Sequence, residues 1–381
     1  MFKTLLVTKS YPPVVGGSAF LLYELTRHFK AGELLVVHGI NDPPVYSSLS
    51  LPFKREQVLL FGSGINTLRF NRYLPKWYLK FIRIQVRRAI RRNKVSSIYI
   101  HYPNGAFAVA AYLEAKRAKI PYIFYQDILW EEREKGAELQ LAMEFEAKVI
   151  ADATHCIAIT EFAAAHQAQK HRRFFHTIPH TLDVANVPEG ISHTKNQKKR
   201  IHFAGGIYPQ MNEDSVLRLM EACKLLTFEF EFEFEFCSPD VPNSLKDYDI
   251  KWKYLSKEKL LEAQSNCDLL FLPQAFKSPT ASMIRHNFPT KTMEYLCSGR
   301  PILVHSPADS YLSHLCAKKS FGMLVDQPDV KQLAQAIQDL LSDDDLQESY
   351  VNKAIAMAKE RNSEIWFKKL DSILEESRSE T

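Results

Sequence analysis

Along most of the chain, short apolar runs alternate with longer segments whose apolar positions recur at helical spacing. "TLLVTKSYPPVVGGSAFLLYELTRHF" begins as an apolar strand, passes through a Pro and Gly loop, and continues with Leu21, Leu22 and Leu25 on one side of a helix. Further apolar runs follow at "ELLVVHG", "SSIYIHYP", "PYIFYQD" and "HCIAIT", separated by segments long enough for helices. Strands that alternate with helices predict a parallel sheet covered on both faces. The stretch "VPEGISHTKNQKKR", 187 to 200, is polar, basic and aperiodic, and reads as a linker. After it the rhythm restarts with "RIHFAGGIYPQ", a helix over "EDSVLRLMEACKLL", then "FEFEFEFEF", "IKWKYLS", "CDLLFLP" and "RPILVHS". The fold class is therefore α/β, with two doubly wound, Rossmann-like domains over 1–186 and 198–363. A final helix over about 364–381 places Trp366, Phe367, Leu370 and Ile373 at helical spacing.

"FEFEFEFEF" (228 to 236) alternates strictly. It predicts a half-exposed strand with Phe on one face and Glu on the other, an unusual element in a sheet covered on both sides. If it were exposed during folding it would be an aggregation risk.

Length supports two domains, since 381 residues exceed what one core serves. With 46% hydrophobic and 24% charged residues the composition is that of an ordinary globular protein. The net charge of +5 is uneven: residues 1–190 hold 25 Lys+Arg against 16 Asp+Glu, and the rest 24 against 28. The first half thus favours an anionic neighbour. The six cysteines, Cys156, Cys223, Cys237, Cys267, Cys297 and Cys316, show neither a C-x-x-C pair nor metal-ligand spacing, which is cytosolic usage. The N-terminal apolar run stops at Thr8 and Lys9, too short for a signal segment, and no stretch approaches the ~18 apolar residues of a spanning helix. The expectation is a cytoplasmic protein, soluble or peripheral on the inner face of a membrane.

Open parallel sheets bind ligands at the carboxyl ends of their strands, which singles out several residues. Gly16 and Gly17 follow the first strand, where backbone N–H groups can approach an anion or a sugar ring; a tight turn needs glycine equally. His101 and Asp127 stand at two further strand ends, as catalytic candidates or, for Asp127, as a helix N-cap. In the second half Gly205 and Gly206 repeat the glycine pattern. The strongest stretch is "RHNFPTKTMEYLCSGRP": Pro289 suits a first helical position, Gly299 the residue past the end, and Pro301 enforces the stop, so 289–298 reads as a short helix. Thr290 and Lys291 lie in its first turn, where a cation is unfavourable unless an anion is present. Glu294, one turn further in, can accept from both hydroxyls of a ribose, or can merely stabilise the helix dipole.

Residues 69–94 carry ten Lys+Arg, and no acid occurs between Glu56 and Glu114. Lys76, Lys80, Arg83, Arg87 and Arg91 share one helical face, and Leu79, Ile82, Val86 and Ile90 another. This is either a helix drawn to an anionic membrane surface or a domain helix with a solvated basic face. No nucleic-acid recognition motif accompanies it.

Taken in order, these motifs resemble the GT-B glycosyltransferases, specifically the large retaining, nucleotide-sugar-dependent group of glycosyltransferase family 4-like members, over nearly the whole chain. "YPPVVGGSAFLLYELTRHF" is similar to that family's N-terminal Gly-Gly loop and helix, "IPYIFYQDILWEE" to its strand ending in an acceptor-side His or Asp, and "TIPHTLD" to its "P-N-G-V-D". "CDLLFLP" followed by "FPTKTMEYLCSGRPIL" is the most specific match, to the donor-site helix. The resemblance implies that the two domains face each other in a GT-B architecture and that the final helix packs back on the first domain. It implies that Glu294 binds ribose and that the N–H groups near Thr290 and Lys291 bind diphosphate. The sequence also departs from the family. Where two acids eight residues apart are common, the first seat is His286. The usual diphosphate Arg and Lys fall on Gly206 and Met211, leaving Arg285 and Lys291 as the nearest cations, and Gln126 and Asp127 stand where the first-domain His is usual.

The function so implied is transfer of a sugar from a nucleoside-diphosphate sugar to a hydroxyl of a cell-surface glycan or lipid-linked acceptor, with retention and without a cofactor or obligatory metal. Asp127, His101 and His286 are the catalytic candidates. Gly16, Gly17, Gly205, Gly206, Arg285, Asn287, Phe288, Pro289, Thr290, Lys291 and Glu294 are the donor-binding candidates. Two alternatives on the same fold are an epimerase or hydrolase of nucleotide sugars and a catalytically degenerate subunit.

Overall fold

A computed structural model describes residues 3–9, 11–12, 17–40, 54–59, 76–102, 105–127, 136–185, 187–191, 196–238, 240–253, 255 and 257–379. The chain forms two compact units, the first of residues 1–182 with 363–381, the second of 183–362.

In the first unit the strands β1 (Thr4–Thr8), β2 (Leu34–Ile40), β3 (Lys54–Leu59), β4 (Ser97–Tyr102), β5 (Tyr122–Gln126), β6 (His155–Ala158) and β7 (Phe175–Thr177) form one sheet, in the order β3-β2-β1-β4-β5-β6-β7. Every described pairing is parallel. Such a sheet is buried on both faces, which explains why β1, β4 and β5 are buried at each position and read as mainly apolar runs. The closing helix Ser363–Ser379 belongs to this unit. It buries Leu370, Ile373 and Leu374 in an apolar cluster with Leu22, Leu25, Phe29 and Tyr99, and Arg378 donates to Thr4 Oγ1 at 2.8 Å.

The basic segment is a helix over Lys76–Asn93, with 69–75 outside the described residues. Ile82, Val86 and Ile90 enter the core as the periodicity predicts. Part of the basic face is occupied internally: Arg83 Nε and Arg87 Nε donate to the two carboxylate oxygens of buried Glu114 at 2.9 and 2.8 Å. The acid that ends the acid-free run in sequence thus partners the arginines in space. Lys80, Arg88, Arg91 and Arg92 stay exposed, with Trp77 54% exposed on the same helix.

The second unit holds β8 (Lys199–Ala204), β9 (Phe232–Cys237), β10 (Ile250–Lys253), β11 (Leu269–Pro273), β12 (Ile302–His305) and β13 (Met323–Val325), again parallel, in the order β10-β9-β8-β11-β12-β13. Here the alternating segment departs from expectation. Residues 228 to 231 lie outside any strand, Phe228 is fully exposed, and only Phe232–Cys237 pairs. Nor is the Glu face half-exposed. Because β9 lies between β8 and β10, Glu233 meets Arg200 Nε at 2.7 Å and Lys251 Nζ at 2.5 Å, and Glu235, 4% exposed, meets Lys253 Nζ at 2.5 Å. Neighbouring strands supply the countercharges that make part-buried Glu233 and buried Glu235 tolerable. Phe236 and its Phe neighbours pack the opposite, apolar face.

Among the described residues no helix is long and apolar enough to cross a membrane. Truncating a side chain that holds the closing helix to the first unit leaves a cavity in its core. Leu374→Ala is expected to destabilise that unit by about 2–5 kcal/mol, read as an earlier urea transition.

Candidate functional site

Each unit carries a polar group at the carboxyl ends of its strands. In the first, Asp127 follows β5 directly, and its N–H donates to Tyr102 O at 2.8 Å. Its side chain is 6% exposed. Ser18 Oγ, from the helix Gly17–Thr26, donates to Oδ2 at 2.8 Å. His180 Nε2 lies 3.4 Å from Oδ1, and His101 Nε2 lies 3.7 Å from Oδ2. Thr8 Oγ1, at the end of β1, lies 3.4 Å from His101 Nδ1. The result is a buried carboxylate flanked by two imidazoles and a hydroxyl.

Burial alone would raise the pKa of Asp127. The hydrogen bond with His180, the charges of His101 and His180 and the Ser18 hydroxyl together hold it below the ordinary carboxylate value. Burial pushes His101 down to about 4, against the opposing pull of Asp127, so at neutral pH its ring is uncharged. A neutral imidazole beside an ionised carboxylate can accept a proton from a hydroxyl, the carboxylate offsetting part of the burial cost of the resulting cation.

His101 and Asp127, predicted separately from strand ends, are thus brought together. Gly17 opens the helix that delivers Ser18, whereas Gly16 lies outside the described residues. Gln126 turns away into a buried network, donating to Glu146 at 3.2 Å and accepting from Gln167 at 2.7 Å. Sequence reading missed His180, Ser18 and Thr8. His180 sits inside the quoted "TIPHTLD", but nothing in its spacing relates it to a residue 53 positions earlier.

In the second unit the site grows from β8. Gly205 has φ +113°, and a Cβ there would stand 3.1 Å from Lys291 Cε and Nζ. A Cβ on Gly206 would run into the Tyr208 ring. The two glycines therefore permit a turn through which Lys291 reaches the end of β8, its Nζ 3.9 Å from the Phe203 ring centroid. Among the described residues no carboxylate lies within ion-pair distance of Lys291. Burial brings its pKa down to about 7, with Glu294 acting in the opposite sense. A cation in such a seat has its natural complement in an anion.

The helix is shorter than predicted, Lys291–Leu296, with turns on either side and Gly299 at φ +70° past its end. Thr290 is exposed at its start, and the Pro289 carbonyl accepts from Thr292 N–H at 3.0 Å. Tyr295, on the buried side, accepts the Ala204 N–H at 2.9 Å and so fastens the helix to β8.

The preceding residues divide in their roles. Arg285, which sequence reading offered as a diphosphate cation, is engaged by Asp309 at 3.0 and 2.5 Å and is half-exposed. His286 is buried, its Nδ1 2.8 Å from Ser282 O. Asn287 ends the helix Ala281–His286 and accepts from Phe288 N–H at 2.8 Å. Phe288 is 1% exposed under the Arg361 guanidinium, 4.6 Å from the ring centroid, and holds the loop to the core.

His101 supplies a pH test of the first group. The unfolded chain takes up its proton near pH 6.5 and the folded chain only near 4, so the stability contributed is complete above pH 6.5 and falls as pH drops. The expected loss is about 3 kcal/mol between those values in the wild type, with a flatter profile in His101→Gln, read by urea unfolding at a series of pH values. Asp127, with a depressed pKa, adds its own loss only at still lower pH, below its ordinary value of about 3.9.

Two family models match the chain: "Glycosyl transferase 4-like domain" over residues 24–177 and "Glycosyl transferases group 1" over 250–357. No curated protein sequence matches. Among solved structures, sucrose-phosphate synthase from Thermosynechococcus elongatus superposes with a TM-score of 0.73 at 11% identity, covering 100% of both chains. Anabaena HepE in complex with UDP and glucose gives 0.69 at 14% identity, covering 99% of this chain and 100% of that one. The α,α-trehalose-6-phosphate synthase of Burkholderia multivorans gives 0.67 at 12%, covering 100% and 97%. At such identities the likeness is one of fold, and the family models supply the rest. With a 4-like domain in its first unit and a group 1 domain in its second, the chain belongs to the GT-B glycosyltransferases of the family 4-like group.

Proposed function

We propose that the protein transfers a sugar from a nucleoside-diphosphate sugar to a hydroxyl of a glycan or lipid-linked acceptor, with retention of anomeric configuration and without an obligatory metal. The observation that carries this reading is Lys291, a part-buried ammonium without a carboxylate within ion-pair distance among the described residues, lodged against Gly205. Diphosphate is the anion such a seat suits, and charge developing on the leaving diphosphate is what a preorganised cation stabilises. Glu294, one helical turn on, accepts the ribose hydroxyls. The likeness to HepE, solved with UDP and glucose, and to an α,α-trehalose-6-phosphate synthase favours the same substrate class.

In the first unit Asp127, flanked by His101 and His180, receives the acceptor hydroxyl and takes its proton. His286 contributes to the donor sugar from the second unit, with its ring orientation set by Ser282. The exposed Lys80, Arg88, Arg91 and Arg92, together with Trp77, are the surface on which we place contact with anionic lipid at a cytoplasmic membrane face.

Because Lys291 titrates near 7 in the free protein, its charge is present below that pH and lost above it. Nucleotide binding is therefore expected to weaken as pH rises from 7 to 9, by up to about tenfold per pH unit until the pKa of the occupied site is reached. Titration calorimetry with UDP, GDP and ADP checks this. Lys291→Met is expected to weaken the best ligand by about 10–100-fold and to remove the pH dependence, a cost of about 1.5–3 kcal/mol for a hydrogen bond to a charged group. Equal nucleotide affinity in the variant would overturn the donor assignment. Asp127→Asn is expected to lower kcat with the nucleotide affinity unchanged, and NMR of the product anomer decides retention against inversion.

A further inference from the structure

On the face of the second sheet opposite its phenylalanines, β8 and β9 place three chemically different side chains together. Parallel register sets His202 beside Glu235 and Ala204 beside Cys237, so His202, Glu235 and Cys237 share one face of two adjacent strands. One nitrogen of His202, one carboxylate oxygen of Glu235 and Cys237 Sγ all lie within 4.8 Å of one another. The exposures are 0%, 4% and 8%. Among the described residues neither ring nitrogen of His202 has a hydrogen-bond partner, and Nδ1 stands 3.7 Å from Glu235 Oε1, beyond bonding reach.

A fully buried imidazole with no hydrogen bond to either nitrogen is costly, because each polar atom gives up water without a full replacement. Here the ring sits within reach of a carboxylate and a sulfur, the donor types that, with imidazole, bind transition metals. We propose that His202, Glu235 and Cys237 form a binding site for a soft divalent transition-metal cation, best suited to zinc, which ties β8 to β9 next to the Gly205–Gly206 turn.

The donor set selects the class of ion. Nitrogen and sulfur disfavour magnesium and calcium, which take oxygen ligands, and favour zinc with three protein ligands and a water in the fourth position. Donor atoms about 2.0–2.3 Å from a tetrahedral zinc lie about 3.5 Å apart, so the observed spread closes with small side-chain adjustments. On binding, the Cys237 thiol releases its proton to solvent, and His202 and Glu235 bind as neutral imidazole and carboxylate. The +2 ion then meets one thiolate and one carboxylate, a neutral group, while Lys253 keeps its hydrogen bond to the other oxygen of Glu235. Burial has pushed the Cys237 thiol up to about 11, with Glu235 adding to the effect, so the thiolate forms in company with the metal.

The site is separate from the reacting atoms proposed above, and its role is to fasten the strand ends that carry the glycine turn. Cys237 O accepts the Gly205 N–H at 2.8 Å, which joins the glycine turn to β9, and the Ala204 N–H is held by Tyr295, which connects this corner to the helix of Lys291. The sequence conceals the set, because His202 precedes Glu235 by 33 positions and no metal motif has that spacing.

The test is spectroscopic and independent of activity. Full-length protein, dialysed against a chelator and titrated with cobalt(II), is expected to bind one equivalent and develop a thiolate-to-cobalt charge-transfer band that zinc(II) abolishes. The band is expected to vanish in Cys237→Ser, and competition with a chromophoric chelator is expected to show zinc bound at least about tenfold more weakly by His202→Gln and Glu235→Gln. Lys291→Met is expected to bind the metal like the wild type, which separates this site from the nucleotide seat. Absence of the band in the wild type, or its survival in Cys237→Ser, would overturn the proposal. If Cys237→Ser fails to fold, the wild-type cobalt spectrum and zinc stoichiometry still decide, and a thermal midpoint raised by magnesium as much as by zinc counts against it.

Discussion

Burial of a parallel sheet on both faces is the constraint on which the rest of this protein depends. Main-chain groups within such a sheet are satisfied by neighbouring strands, so its interior accepts apolar side chains readily and charged ones only with partners. Polar chemistry is consequently displaced to the strand ends, where chain direction changes and backbone groups become available. Asp127, one residue past β5, and Gly205, one residue past β8, are both products of that displacement. What the two units share is this arrangement rather than any common residue.

The same constraint explains the charged groups that remain inside. Glu235 and Glu233 survive within the second sheet because the adjacent strands carry cations, Arg200 directly opposite Glu233 and Lys251 and Lys253 each two residues along from the position opposite its acid. Glu114 survives in the first unit because two arginines one helical turn apart close on it. Lys291 is the contrasting case: it is part-buried with an aromatic ring beneath it and no carboxylate within ion-pair distance among the described residues, and its lowered pKa records the cost. A buried charge that is compensated holds structure together, whereas one that is left uncompensated is poised for a ligand.

Electrostatics also separates the two polar groups by the kind of work each suits. Burial favours the neutral form of both groups: it keeps His101 uncharged, whereas Asp127 is held ionised against it by His180, His101 and Ser18, leaving a proton acceptor of fixed charge at neutral pH. Lys291 sits at the edge of its titration, so occupation of its seat by an anion and its protonation reinforce each other.

The alternation of apolar runs and helical periods was enough to establish two doubly wound sheets, because period and run length are local properties of the chain. The positions of Gly205, Gly206, His101 and Asp127 at strand ends, and a helix between Pro289 and Gly299 though not its length, were legible for the same reason: each is announced by neighbours within a few positions. Register and strand order were not. Only the folded chain put β9 between two strands bearing cations, ended its pairing at Phe232, and closed Arg83 and Arg87 on Glu114. Only folding brought Ser18, His101 and His180 to Asp127, and His202 to Glu235 and Cys237, across sequence separations that no periodicity encodes. Local patterning follows from how each side chain meets water, whereas the company a side chain keeps depends on which strands pair, a choice made by the whole sheet at once.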